Sequence, residues 1–238
     1  DMSGHSTIPY FSGKLDGNGF SLKRLDKALF NAIKVEDPSY GVIVENLKIE
    51  ESIINETYSL GLSTSIGFVS KKIESTSYNS NIILRNISID NASQISTIYS
   101  TYNGLEVIHI GALVGAIDVS STGSDLVTLD NIHSKASLEN YNIEDLSSNS
   151  SVGGLIGYVN ADKSVVNIGN STVGTQVAGD WKNDSAEVKI KGHWNVGGLI
   201  GKAFGGQNSS SEFGINIYNS AAHAKMKAKQ KGGGLIGN

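Results

Sequence analysis

The chain has 238 residues, with 28 glycines, two prolines and no cysteine, and its 19 basic against 23 acidic side chains leave a net charge of −4. Disulfides and thiolate metal sites are thereby excluded, a mild acidic charge argues against a dedicated nucleic-acid binder, and no run approaches the roughly 18 uninterrupted apolar residues of a membrane helix. The length suffices for one sizeable domain, and a stacked array would need no closed globular core.

Taken in order, residues 11–30 read as two strands about Asp16-Gly17 and Asn18-Gly19, whose positive-φ preference suits a tight reversal. Leu22, Leu25, Leu29 and Ile33 also fit a helical stripe, but strand is favoured because later copies of Leu29-Phe30 are flanked by glycines, which weaken helices. Those copies are Gly111-Ala-Leu-Val-Gly115, Gly153-Gly-Leu-Ile-Gly157, Gly197-Gly-Leu-Ile-Gly201 and Gly233-Gly-Leu-Ile-Gly237, with Ser65-Ile66-Gly67-Phe68 placed in the same slot. The steps 31→67 (36), 67→115 (48), 115→157 (42), 157→201 (44) and 201→237 (36) mark a repeat architecture.

A second phrase, apolar-x-Asn, recurs at Asn46, Asn86, Asn131, Asn170 and Asn219, each between two glycine phrases. Around it apolar residues alternate, as in Ile82-Ile83-Leu84-x-Asn86-Ile87-x-Ile89, the pattern of a half-buried strand. Each repeat is therefore expected to pair in parallel with the next. Leu and Ile of the glycine phrase should form an interior column, with Gly115, Gly157, Gly201 and Gly237 permitting close backbone approach. Asparagine at a left-handed corner should bond to the asparagine of the next rung. Arcs running from Asn to the next Gly vary most in length, so function is expected in their protrusions, Ser93–Gly104, Leu138–Ser151 and Gln176–Ala186. These hold Tyr99, Tyr102, Tyr141 and Trp181, with Trp194 following.

Lys225, Lys227, Lys229 and Lys231 alternate with other residues, which in a strand places all four on one face. Lys189 and Lys191 lie 36 residues before Lys225 and Lys227, so stacking would gather up to six ammonium groups suited to an anionic partner. The competing reading is that lysines protect an exposed edge strand. The five histidines lack His-Glu-x-x-His spacing, although His193 and His223 could meet across rungs. Adjacent acids such as Glu50 with Glu51, or Glu144 with Asp145, should point to opposite faces rather than across a glycosidase cleft, and the scarcity of arginine (Arg24 and Arg85) disfavours uronate lyase chemistry. Asp16-Gly-Asn18-Gly lacks the remaining ligands of a calcium loop, and Asn-x-Ser/Thr triplets such as those at Asn86 and Asn170 belong to the structural phrase.

The series Phe11-Ser-Gly13-Lys-Leu15-Asp16-Gly17-Asn18-Gly19, Ala28-Leu29-Phe30-Asn31, Val44-Glu45-Asn46-Leu47 and then Gly-Gly-Leu-Ile-Gly resembles the GLUG-repeat family. Within it the chain looks most like the non-catalytic β-helical region of the surface zinc metallopeptidases of Gram-positive cocci, the immunoglobulin A protease family. The resemblance covers residues 11–237 and implies an extracellular, wall-associated setting; the family's zinc ligands lie in another domain and nothing catalytic is carried over.

The sequence thus predicts an all-β, right-handed parallel β-helix (β-solenoid) of GLUG-type repeats. It is expected to form one domain over 1–238, with 1–30 as an N-terminal capping segment and 31–238 as repeats, and to be a piece of a longer surface protein. No cofactor, membrane insertion or enzymatic activity is expected. The expected role is a spacer or a surface binding host protein or glycan, working beside other domains of the same parent chain in a secreted zinc metalloprotease. An adhesin segment is the alternative, and a polysaccharide-processing β-helix enzyme the less favoured third.

Overall fold

The computed structural model describes all residues except 37–38, 59–63, 75–80, 100–106, 120–124, 141–148, 163, 177–186, 206–213 and 238, and only the backbone of 58, 98 and 99. Its described residues form an all-β structure of four parallel sheets, with no helix and hence none long and apolar enough to cross a membrane. One repeat shows the plan. Asn81–Ile89 lies in the first sheet, Gln94–Tyr99 in the second, Ile108–Gly111 in the third and Val114–Asp118 in the fourth; the chain then returns to the first sheet with Leu126–Ser134. Each strand pairs in parallel with its equivalent one repeat later, as Ile82 with Val127 and Val114 with Ile156. The stripe at Leu22, Leu25, Leu29 and Ile33 is not helical, since Ser21–Lys23 and Phe30–Lys34 are strands.

The period-2 pattern determines what is buried. Val44, Leu84, Leu129 and Ile168 form one solvent-free column, Ile54, Ile95, Leu138 and Ile190 another, and Ile66, Ile110, Val152 and Val196 a third. Each such side chain contributes about 1.5–3 kcal/mol on leaving water. Leu113, Leu155 and Leu199 stack at the corner between the third and fourth sheets, all fully buried, while Leu235 in the last copy is 40% exposed.

At that corner the glycines allow two sheets to meet backbone against backbone. A methyl group at Gly157 would lie 2.5 Å from the Gly115 carbonyl oxygen and from the Ile110 nitrogen; at Gly201 it would lie 2.6 Å from the Gly157 oxygen. None of these glycines has positive φ, so space rather than conformation demands them. The second copy sits elsewhere than expected. Gly67 is level with Gly111, because Ile66 pairs with Ile110, and it is Val69-Ser70-Lys71 that occupies the slot of Leu113-Val114-Gly115. The true steps are 31→71 (40) and 71→115 (44), and the early rungs carry Pro9, Asn31 and Lys71 where later rungs carry glycine.

The asparagine corners bend the first sheet. Asn46, Asn86, Asn131, Asn170 and Asn219 all have φ between 47° and 56°. Asn86 Nδ2 donates to Asn46 Oδ1 at 2.9 Å, Asn131 to Asn86 at 2.9 Å and Asn219 to Asn170 at 3.4 Å. Asp16 accepts from Asn46 at the base, and the ladder is interrupted where Asn170 turns to Asp130 and His133 Nε2 bonds Asn131 Oδ1. Corner serines, buried at Ser52, Ser93 and Ser171 and half-buried at Ser220, form a second seam: the Ser52 nitrogen donates to Ser93 Oγ, Ile132 to Ser171 and Ser171 to Ser220, so these corner amides are satisfied from the next rung.

At the start, Lys14–Asp16 and Ser21–Lys23 both pair in parallel with Val42–Glu50. The turn between them therefore advances the chain along the sheet and is not a reversal; Asn18 (φ 49°) and Gly19 (φ 74°) supply its left-handed residues. Ile8, Phe11, Leu15, Phe20 and Leu22 leave an apolar hollow of about 270 Å³ at this end.

One buried charge is fully paired. Glu45, 4% exposed, receives Lys14 Nζ at 2.8 Å and Arg85 at 2.6 Å (Nη2) and 2.7 Å (Nε). Hydrogen bonds from Lys14 and then Arg85 hold its carboxyl below the ordinary value. A depressed folded-state pKa gives stability that is present above the ordinary carboxylate range and lost as pH falls through the folded value. Glu45→Gln should lower Tm by a few degrees at pH 7, with the difference from wild type closing in acid melts. A difference that persists at pH 2 would assign the effect to packing instead.

Candidate functional site

The lysine face is assembled in part. Lys225–Ala228 pairs with Lys189–Gly192 so that Lys189 lies beside Lys225 and Lys191 beside Lys227. Like charges at neighbouring positions repel, and one is relieved from below: Glu139 Oε1 lies 2.7 Å from Lys191 Nζ. The strand ends at Ala228, so the four lysines do not share a face; Lys229 is in the following bend, where its nitrogen donates to the His193 carbonyl, and Lys231 begins a strand of the third sheet beside Asn195.

The expected aromatic protrusions fall only in part on described residues. Tyr102, Tyr141 and Trp181 lie outside the described residues. Ser93 is buried and Gln94–Tyr99 is a strand whose Tyr99 pairs with Tyr58, so no loop begins before Tyr99; Ser137–Asn140 likewise belongs to the second sheet. Trp194 is half-buried at the bend before Asn195–Gly197, its ring 5.7 Å from that of His193. His223 sits in the first sheet opposite Gly174, and among the described residues no group of three or more His, Asp or Glu could hold a metal ion. Glu50 and Glu51 do not diverge: Glu51 follows the strand with φ 52°, and both carboxylates reach Lys23, at 3.1 and 3.4 Å. Glu144 and Asp145 lie outside the described residues.

The structure assembles a different site where the third and fourth sheets adjoin, a cleft of about 440 Å³ lined by Val107, His109, Asn149, Tyr158, Asn160, Lys202 and Phe204. Strand alternation turns Tyr158 and Asn160 of Ile156–Ala161 to one face, and parallel register places Lys202 and Phe204 of Ile200–Gly205 beside them. The rings of His109 and Tyr158 stack at 4.6 Å and 15°. Ser151 Oγ donates to the Gly157 carbonyl at 2.6 Å, so its free lone pair accepts from His109 Nδ1 at 2.8 Å. That assigns the Nδ1–H tautomer and leaves Nε2 a bare acceptor.

Burial, and secondarily the charge of Lys202, pushes the His109 pKa down to about 4, so the ring is neutral at pH 7. Burial also lowers Lys202, with Lys231 adding repulsion, and raises the Tyr158 phenol, with Asp118 adding to it. Lys202 Nζ donates to Asn149 Oδ1 at 2.7 Å, and Asn160 Nδ2 to Asp118 Oδ1 at 3.2 Å. Asn160 Oδ1 is enclosed and has no hydrogen-bond partner. None of these residues carries a sequence signal of its own, since they come from separate repeats and share no motif; only the register brings them together.

No protein-family model matches the chain, and no curated protein does. Among solved structures, that of a "putative immunoglobulin A1 protease" from Bacteroides ovatus is similar over 99% of this chain and 61% of its own, with a TM-score of 0.61 and 13% sequence identity. At that identity the likeness is one of fold, and the chain spans under two thirds of its neighbour's length.

Proposed function

We propose that the chain is a right-handed parallel β-helix serving as a non-catalytic extracellular module of a secreted or wall-associated protein of the immunoglobulin A protease type. In this reading it holds its parent's other domains at a distance and binds a host protein or glycan. The observation that carries the reading is a four-sheet parallel stack maintained through the described residues by the recurring glycine and asparagine phrases, together with the fold shared with the Bacteroides protein. Such a stack supplies rigidity and a long lateral surface, and Glu45, Glu50 and Glu139 are engaged in ion pairs with lysine and arginine, which suits binding better than hydrolysis. An adhesin segment is the second reading, favoured by the Lys189, Lys191, Lys225 and Lys227 cluster.

A host-protein and glycan array probed with the chain and with Lys225→Ser/Lys227→Ser/Lys229→Ser tests the binding role. Selective capture lost in the variant is expected if the lysines form the contact face. Capture by neither protein overturns the binding role and leaves the spacer. A parent gene encoding repeats and a wall anchor without a His-Glu-x-x-His domain would decide for the adhesin.

A further inference from the structure

We propose that the cleft of His109, Tyr158, Asn160, Lys202 and Phe204 is a binding site for a neutral pyranose, a site independent of the lysine cluster. Its polar groups call for a ligand that donates. His109 Nε2 is an acceptor without a hydrogen-bond partner among the described residues, on a ring that lines the cleft. Tyr158 contributes a hydroxyl able to donate or accept, and Lys202 keeps N–H bonds beyond the one given to Asn149.

Phe204 is 43% exposed and borders these groups, offering an apolar ring to a flat C–H surface. A pyranose has that combination: several hydroxyls radiating from a ring with an apolar face. An acidic sugar fits less well, because it would bring an anion towards the His109 acceptor and the Asp118 carboxylate that holds Asn160. Lys202, the cation that lines the cleft, is itself disfavoured as a charge by burial and by the nearby Lys231. The volume of about 440 Å³ falls in the usual range of roughly 300–1,000 Å³ for small-molecule sites.

Saturation-transfer NMR on the intact chain tests this, with methyl glycosides of glucose, galactose, mannose and N-acetylglucosamine as probes and glucuronate and sialic acid as acidic counterparts. At least one neutral glycoside should receive saturation, with its Kd raised tenfold or more by Phe204→Ala, raised severalfold by Tyr158→Phe, and unchanged by Lys225→Ser/Lys227→Ser. Wild-type amide shift mapping asks the same without a substitution, since the bound sugar must move the His109, Tyr158 and Asn160 signals. Saturation of acidic sugars alone, of none, or shifts confined to other residues would overturn the proposal. Loss of lysine-dependent capture would bear only on the proposed function.

Discussion

Leu155→Asp is expected to abolish cooperative folding of the rungs around it. Leu155 has no solvent exposure and is hydrogen-bonded through its backbone to Leu113 on one side and Leu199 on the other. Removing a buried leucine costs about 2–5 kcal/mol, and an unpaired carboxylate in its place adds several more. Since whole domains are stable by only about 5–15 kcal/mol, one such change consumes most of the margin. Leu235→Asp is the matched control, with the same position in the phrase but 40% exposure, and should melt within a few degrees of wild type. Equal losses for the two variants in thermal denaturation would refute an interior leucine column.

The second large effect concerns a residue with no side chain. Gly201→Ala places a methyl 2.6 Å from the Gly157 carbonyl oxygen and 2.7 Å from the Val152 nitrogen, both backbone atoms that cannot swing aside. Replacing glycine by alanine ordinarily gains about 0.4–1 kcal/mol from a less disordered unfolded chain. Here crowding, at about 1–3 kcal/mol or more, outweighs that gain and the variant should be less stable. Gly234→Ala meets nothing within 4 Å, so the entropic gain remains and its Tm should stay level or rise slightly. A Gly201→Ala protein as stable as wild type would mean that the third and fourth sheets do not approach as described.

These two positions also explain why the repeat was legible in the sequence. Leucine, glycine and asparagine recur where a column, a backbone contact and a left-handed corner each admit few residue types. The second copy was misplaced because Ser70 and Lys71 stand where later rungs have an apolar residue and a glycine, and the nearby Gly67 offered a false match. Strand ends were harder to read. The lysine alternation continues past Ala228 although the strand does not, and Glu51 leaves the strand by a positive φ usually reserved for glycine or asparagine. The cleft was illegible for another reason: its side chains are spread from residue 107 to residue 204 and become neighbours only through parallel register.

The register also decides how the molecule bears load. Among the described residues each strand bonds to its equivalents in the rungs before and after, so tension applied along the stack would fall first on a terminal rung and reach the next when that one has peeled away. Taken between successive asparagine corners, each release pays out 39 to 49 residues of chain: 46→86, 86→131, 131→170 and 170→219. A stack built this way would lengthen in discrete instalments, one rung at a time, while the remaining rungs stay paired.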